Sequence, residues 1–277
     1  MQLNKPSSGP EPKRGTKALE QPCPPSKWPT YCGCCRQPEA RSLSWIVIRL
    51  QPADLCVYLC PSVGGEHSSD GNYSRGEIVV RLILVRHGET EWNAEGRYQG
   101  WTDVPLNETG KRQAVALGRR LAREDIHAIY ASDLRRAWET AMIIAAPHGL
   151  PVRSERRLRE IDFGIWEGLT YSEIKQRHPQ ILTAWEADPL SVVLPGGESL
   201  GQVSTRIQAT LKDIAQAHQD QTVLLVAHGG SLQVLLCLAL GLVPQARWQF
   251  LLEAACLTEL CFHEEGAVLV RLNGGYH

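Results

Sequence analysis

Two short apolar runs of this chain end in reactive side chains, and this feature most limits what the chain can fold into. The run at 80–85 is followed by Arg-His-Gly at 86–88, and the run at 222–227 is followed by His-Gly-Gly at 228–230. Such runs predict buried strands, and the carboxyl ends of parallel strands meet at one edge of a sheet. The sequence therefore predicts one site with two imidazoles and a guanidinium that favours an anion.

Strand and helix patterns alternate along residues 79–277. Capping-box patterns at Thr170 and Ser199 predict two helix starts. The alternation predicts an α/β fold, with three α/β/α layers, a mostly parallel central sheet and helices on both faces. Predicted strands lie at 80–85, 126–131, 223–227, 257–262 and 267–272, and further predicted helices at 109–123, from Ser132 to before Pro147, and at 231–240.

Residues 1–78 differ in composition from the rest of the chain. They contain ten of the 17 prolines and six of the nine cysteines, without a sustained helical or strand period. The cysteines at 32–35 lack the spacing of a common zinc site. This composition predicts a disordered N-terminal extension, followed by one domain at 79–277. A non-native extension, with Val79 or Val80 as the native start, is the alternative hypothesis, because Arg75-Gly76-Glu77 can be encoded by a purine-rich string that resembles a ribosome-binding site and valine by the start codon GTG.

Charge and hydropathy exclude several classes of function. The formal net charge is −1, so no sequence-wide attraction to nucleic acid or to a membrane surface is expected. The longest apolar helical candidate, residues 231–243, is too short to span a bilayer, and the first thirty residues lack a signal-peptide pattern. We predict a cytoplasmic protein that acts on a small molecule, with no nucleic-acid or membrane partner and a homodimer as one candidate assembly.

Four segments supply side chains for the predicted site. Besides the two strand ends, they are residues 132–137, which open a predicted helix, and the loop at 158–168. The chain has neither a GxxxxGK[ST] loop nor a GxGxxG fingerprint, so a nucleotide site is not indicated. Two histidines among several arginines favour phosphoryl transfer from a monoester, with histidine as the nucleophile.

These segments carry motifs in the order typical of one family. On them, the chain from about Val79 to its C-terminus resembles the histidine phosphatase superfamily, also called the phosphoglycerate mutase-like family. The motifs are Arg-His-Gly-Glu-Thr at 86–90 followed by Trp-Asn at 92–93, Tyr-Gln-Gly-Trp at 98–101, Ser-x-Leu-x-Arg-Ala at 132–137, Leu-x-Glu-x-x-Phe-Gly-x-Trp-Glu-Gly at 158–168, and His-Gly-Gly at 228–230.

The resemblance implies a role for each motif residue. His87 would be the phosphorylated nucleophile, and Glu160 would donate a proton to the leaving oxygen and then activate water. Neither a metal nor a cofactor is implied, so we expect chelators to leave the activity intact. The remaining residues would hold the substrate: Arg86, Arg136 and His228 at the phosphoryl oxygens with Asn93 assisting, and Gln99, Gly100 and Gly229 close to the substrate.

Two points of the chemistry can be examined from the residues themselves. Guanidiniums beside His87 are expected to lower its pKa and to keep one nitrogen unprotonated for attack. Glu160 competes for the acid role with three other carboxylates, and its spacing from Phe163-Gly164 favours it. The competing residues are Glu89, Asp162 and Glu167.

Three functions are compatible with this set of residues. The first is a phosphomonoesterase acting on a small phosphorylated metabolite, with α-ribazole 5′-phosphate as the named candidate. The second is a cofactor-dependent phosphoglycerate mutase, and the third is a non-catalytic phosphate-binding module. The short spacing of 68 positions between Glu160 and His228 favours the compact phosphatases over the mutases.

Overall fold

The computed structural model describes residues 79–275, and the predictions made for residues 1–78 lie outside the described residues. Its strands are β1 (Val80–Arg86), β2 (Ala128–Ala131), β3 (Val152–Ser154), β4 (Gln221–Ala227), β5 (Leu257–His263) and β6 (Gly266–Gly274). Its α-helices are α1 (Glu91–Ala94), α2 (Glu108–Leu121), α3 (Arg135–Ala145), α4 (Tyr171–Arg177), α5 (Pro179–Ala187), α6 (Leu200–Ala217) and α7 (Gly229–Ala239). Short 3-10 helices include Arg156–Leu158 and Pro244–Gln249.

All six strands belong to one sheet, in the order β3-β2-β4-β1-β5-β6. The pairs β2–β3, β2–β4 and β1–β4 are parallel, whereas β5 pairs antiparallel with both β1 and β6. The predicted α/β fold with a mostly parallel sheet is therefore confirmed. The two strands that follow α7 add an antiparallel edge beside β1.

Side chains of the central strands alternate between two apolar cores, one on each face of the sheet. In β1, Leu82 and Leu84 belong to the core that α4 to α7 cover, whereas Ile83 and Val85 belong to the core under α2 and α3. All four are at most 1% exposed. Because successive side chains of a strand point to opposite faces, a strand covered on both faces needs an uninterrupted apolar run.

The predicted N-cap at Ser132 is wrong. Helix α3 begins at Arg135, and Leu134 occupies the N-cap position without a side-chain hydrogen bond. The Ser132 hydroxyl lies 2.8 Å from Nε2 of His228 instead. Because the Ser132 hydroxyl contacts the His228 imidazole, it does not cap the helix, and the helix starts later than its capping preference predicts.

Capping boxes begin α4 and α6 as predicted, through Thr170 with Glu173 and Ser199 with Gln202. Helix α5 was not predicted, because it follows α4 after a single residue and starts at Pro179. None of the helices in the described part combines the length and apolar content that a bilayer crossing requires. The three described cysteines are buried, as predicted: Cys237, Cys256 and Cys261.

A backbone contact between the end of β1 and the start of α2 positions the loop that carries His87. A Cβ added to Gly88 would lie 2.5 Å from the Gly110 carbonyl oxygen, and one added to Gly110 would lie 2.7 Å from the Glu89 amide nitrogen. The Gly88 amide also donates to Thr140 Oγ1 at 3.1 Å. The two segments therefore touch through main-chain atoms with no room for a methyl group.

We predict that Gly110→Ala lowers the free energy of unfolding by about 1–3 kcal/mol, because the methyl group overpacks this contact. Gly118→Ala in the same helix is the matched control, since its Cβ would meet the Ile143 carbonyl oxygen only at 3.3 Å. Urea unfolding followed by tryptophan fluorescence measures both variants. Equal stability of the two would contradict the prediction.

Candidate active site

The two strand-end histidines lie side by side at one edge of the sheet. Strands β1 and β4 pair in parallel with Arg86 opposite Ala227, and the His87 amide donates to the Ala227 carbonyl at 3.0 Å. Each histidine comes directly after its strand. The ring centroids of His87 and His228 are 5.1 Å apart with an angle of 62° between the planes.

The tautomer of His87 follows from its hydrogen bond. Its Nδ1 lies 2.7 Å from the Gly88 carbonyl oxygen, which can only accept, so Nδ1 carries the proton. Among residues 79–275, Nε2 has no hydrogen-bond partner. Burial lowers the pKa of His87 well below its usual value, and the charges of Arg136 and Arg86 lower it further. An unprotonated Nε2 is thus available as a nucleophile, as expected from the sequence.

Arg136 brings a positive charge into the site from the second position of α3. Its side chain is fully buried, and its Nη2 donates to the Gly100 carbonyl at 2.7 Å while Nη1 donates to the Thr102 carbonyl at 3.0 Å. Burial lowers the pKa of Arg136 to about 10, so it stays charged at neutral pH. Gly100, predicted near the substrate, therefore supports Arg136 through its carbonyl oxygen.

His228 lies between Arg136 and Ser132. Nε of Arg136 donates to Nδ1 of His228 at 3.1 Å, and Nε2 of His228 lies 2.8 Å from the Ser132 hydroxyl. Burial and the nearby charge of Arg136 hold the pKa of His228 well below its usual value. Both ring nitrogens are occupied, so the predicted contact of His228 with phosphate requires one of these hydrogen bonds to be exchanged.

Two buried donors, one on the residue before His87 and one on a residue that contacts Thr90, lack an acceptor among the described residues. Nε of Arg86 and Nε2 of Gln99 are buried with no hydrogen-bond partner in the described part. Asn93 directs its Oδ1 at the Thr90 amide, 3.2 Å away. Buried donors without an acceptor are rare in folded proteins and indicate a missing ligand. Cationic and amide donors without acceptors fit a phosphoryl group.

Gly229 opens α7 next to this group of donors. A Cβ added to Gly229 would lie 3.5 Å from Nε and 3.6 Å from Cζ of Arg86, an ordinary van der Waals distance. The residue therefore packs beside the guanidinium that is predicted to hold the phosphoryl oxygens. No group of three or more His, Cys, Asp or Glu side chains in residues 79–275 could hold a metal ion.

The Glu160 carboxylate is held by main-chain amides. Oε1 accepts from the amides of Ile161 at 2.9 Å and Ser231 at 3.0 Å, and Oε2 accepts from the Gly230 amide at 2.9 Å. Two of these amides belong to the first turn of α7, directly after His228. Glu160 as a whole residue is 8% exposed. Because its carboxylate bonds to the amides that follow His228, the predicted acid lies at the same sheet edge as the histidines.

The competing carboxylates have other contacts. Glu167 accepts from the amides of Trp101 and Thr102, each at 2.7 Å. Glu89 accepts from Asn107 Nδ2 at 2.8 Å, and Asp162 accepts from the Gly164 amide at 3.0 Å. Each of these contacts orders a loop or a helix start, and of the four carboxylates only Glu160 bonds to α7, which begins directly after His228.

Sequence reasoning missed Arg206, which holds the loop that carries Glu160. Its Nη1 donates to the carbonyls of Arg157 at 2.6 Å and Arg159 at 2.7 Å, and its Nη2 donates to the Glu160 carbonyl at 2.8 Å. The Glu198 carboxylate accepts from its Nε at 3.0 Å. Arg206 lies in α6 between Val203 and Ile207, two buried residues of that helix. This position was the only sign in the sequence that its side chain is partly buried.

Comparisons with known proteins identify the family. A sequence model of the histidine phosphatase superfamily (branch 1) matches residues 82–274. The chain belongs to this superfamily. Phosphoserine phosphatase 1 of Hydrogenobacter thermophilus is 38% identical to it over 195 residues, which cover 70% of this chain and 92% of that protein.

Solved structures of superfamily members are similar in fold. The α-ribazole phosphatase of Shigella flexneri matches with a TM-score of 0.65 at 30% identity, over 70% of this chain and 96% of that one. A mycobacterial glucosyl-3-phosphoglycerate phosphatase matches with a TM-score of 0.64 at 34% identity, over 70% of this chain and 99% of that one. The sequence-based assignment to this superfamily is confirmed.

We predict that His87 stays neutral to a pH well below 6.5. Because its pKa is lowered, the proton that would block Nε2 binds only in more acidic solution than for a free histidine. A 15N NMR titration of the imidazole measures this. A His87 midpoint at or above 6.5, the usual pKa of histidine, would contradict the prediction.

Arg206→Lys is predicted to reduce turnover of alkyl phosphates by about 10-fold, because it loosens the loop that carries the acid. Turnover of p-nitrophenyl phosphate should fall less than about 3-fold, since its leaving group needs no proton. Arg177→Lys changes an exposed arginine of α4 and is the control. Equal losses on both substrates would show that Arg206 does not act through Glu160.

Proposed function

We propose that this chain is a phosphomonoesterase that transfers the phosphoryl group of a small metabolite to Nε2 of His87 and then to water. Its superfamily and its phosphatase relatives make it a phosphoric monoester hydrolase. The observation that carries the proposed mechanism is the group of buried donors without acceptors beside a neutral imidazole: Arg86 Nε and Gln99 Nε2. We also propose that the catalytic domain comprises residues 79–277.

In the first step, the Nε2 lone pair of His87 attacks phosphorus and the bond to the alcohol oxygen breaks. Glu160 gives its proton to that oxygen, and Oε2 is the proposed carrier because it accepts one main-chain hydrogen bond whereas Oε1 accepts two. In the second step, Glu160 takes a proton from water as the water oxygen attacks phosphorus. The P–N bond breaks, which releases inorganic phosphate and restores His87.

The surrounding charges stabilise the transferred group. Phosphoryl transfer passes through a loose transition state whose negative charge is spread over the equatorial oxygens. Arg86 and Arg136 carry positive charge at these positions, and removing one such preorganised donor typically costs ~3–4 kcal/mol of transition-state stabilisation. His228 orients Arg136 through Nδ1. Asn93 Nδ2 is a further proposed donor to the phosphoryl oxygens.

The substrate is a small phosphate ester, and the residues that line the site determine which alcohol part is accepted. Relatives include phosphatases named for phosphoserine, for glucosyl-3-phosphoglycerate and for α-ribazole. The first two names describe alcohols that carry a carboxylate, whereas α-ribazole 5′-phosphate, the candidate from sequence, carries none. The cytoplasmic location and the homodimer stay predictions.

His87→Ala is predicted to reduce turnover of p-nitrophenyl phosphate by at least about 10⁴-fold, because the covalent route is lost. His127→Ala removes a histidine from the opposite end of the sheet and should retain the activity. Wild-type protein quenched during turnover of a 32P-labelled ester should carry acid-labile, base-stable phosphate, and His87→Ala should carry none. Activity should persist in excess chelator.

Retained turnover in His87→Ala would exclude the proposed nucleophile. Efficient interconversion of phosphoglycerates with little release of phosphate would favour the mutase instead. Binding of phosphate without turnover of any ester would favour the non-catalytic module.

A further inference from the structure

Arg247 is a buried cation without an ion pair. It lies in the 3-10 helix Pro244–Gln249 that follows α7, and the residue is 3% exposed. In the part of the chain that the structure describes, its guanidinium makes no hydrogen bond, and its buried Nε has no partner. Its Cζ lies 3.8 Å from the centroid of the Trp248 ring. Stacking of this kind holds the planar group but satisfies none of its donors.

Two other largely buried arginines near the site, Arg136 and Arg206, are fully engaged, whereas Arg86 shares the unpaired Nε among the described residues. Arg136 donates to two carbonyls and an imidazole, and Arg206 donates to three carbonyls and a carboxylate. Burial of an unpaired charge is expensive, and folded proteins retain it mainly where a ligand supplies the partner. Burial lowers the pKa of Arg247 to about 10, so the guanidinium remains positive at neutral pH and its donors remain available.

The segment that carries Arg247 returns to the site, because the Leu252 carbonyl accepts from Nη1 of Arg86 at 2.7 Å and the Phe250 carbonyl accepts from Nε2 of Gln233 in α7 at 2.6 Å. The negative charge of Glu160, the proposed proton donor to the leaving oxygen, acts on its guanidinium. The charge of Arg247 also acts on the Tyr98 hydroxyl, and the next residue, Gln99, has a buried Nε2 without a partner among the described residues.

We infer that Arg247 binds a carboxylate on the alcohol part of the substrate, two or three bonds from the phosphorylated oxygen. This inference rests on the proposed phosphomonoesterase function. A guanidinium offers paired donors that match the two oxygens of a carboxylate. One positive charge balances one carboxylate, whereas a second phosphate would bring about two negative charges next to Glu160. Phosphorylated hydroxy acids and amino acids fit, and α-ribazole 5′-phosphate does not.

Two matched pairs of substrates test the inference on the wild-type protein. O-phosphoserine differs from O-phosphoethanolamine by a carboxylate, and 3-phosphoglycerate differs from glycerol 3-phosphate by a carboxylate in place of a hydroxymethyl group. We expect kcat/KM to be about 30-fold or more higher for the acid in each pair, as for a buried charge pair. Equal values within both pairs would overturn the inference.

Arg247→Gln assigns the preference to this residue. We expect kcat/KM for the two acids to fall about 30-fold or more, mainly through KM, because the carboxylate is bound equally in the ground and transition states. The uncharged partners should change less than about 3-fold. Arg153→Gln is the control, since Arg153 also stacks on an aromatic ring, Tyr130, but lies on β3.

The outcomes distinguish a failure of the carboxylate role of Arg247 from a failure of the proposed phosphomonoesterase function. Equal losses on all four substrates would overturn the carboxylate role and indicate that Arg247 acts through Glu160 or through packing. Turnover of no phosphate ester at all by the wild-type protein, p-nitrophenyl phosphate included, would overturn the proposed function itself. If Arg247→Gln does not fold, as judged by circular dichroism, the wild-type pairs and Arg247→Lys decide, and the lysine variant should retain part of the preference.

Discussion

The in-register parallel pairing of β1 with β4 is the interaction on which the rest of the site depends. It places the residue after each strand at the same height, so the two imidazoles lie 5.1 Å apart without any contribution from the loops. A slip of one residue would turn one of the rings to the other face of the sheet. The two apolar cores disfavour that slip, because each side chain of the slipped strand would move to the opposite core and lose its fitted packing.

Positive charge is gathered around this pair and kept there by burial and hydrogen bonding. Arg136 lies in the first turn of α3, where the helix dipole disfavours a cation. Three hydrogen bonds, to Gly100, Thr102 and His228, hold it in place. The same charge lowers the pKa of His87. The groups proposed to bind a phosphoryl anion therefore also help to keep His87 neutral, so the proposed reaction needs no separate base to deprotonate this residue.

Most of the sheet and the meeting of the candidate site residues at one sheet edge could be predicted, because both depend on short, contiguous motifs. The strand ends, the segment at 132–137 and the proposed acid Glu160 each lie within a few residues of a recognisable pattern. Arg206 and Arg247 could not be found in this way. Their roles depend on carbonyl groups and charges that are brought close only by the packing of α6 and α7. The Ser132 cap was wrong for the same reason, since its partner His228 is 96 positions away.

The side chains proposed to bind phosphate and the side chain proposed to select the alcohol part of the substrate come from separate stretches of the chain. His87, Arg86 and Arg136 follow the sheet, whereas Arg247 stands on a short 3-10 turn beyond α7. A turn of this kind, Pro244–Gln249, can change its sequence without disturbing any strand. Relatives that share the same sheet and the same phosphoryl-transfer chemistry can in this way differ in substrate specificity.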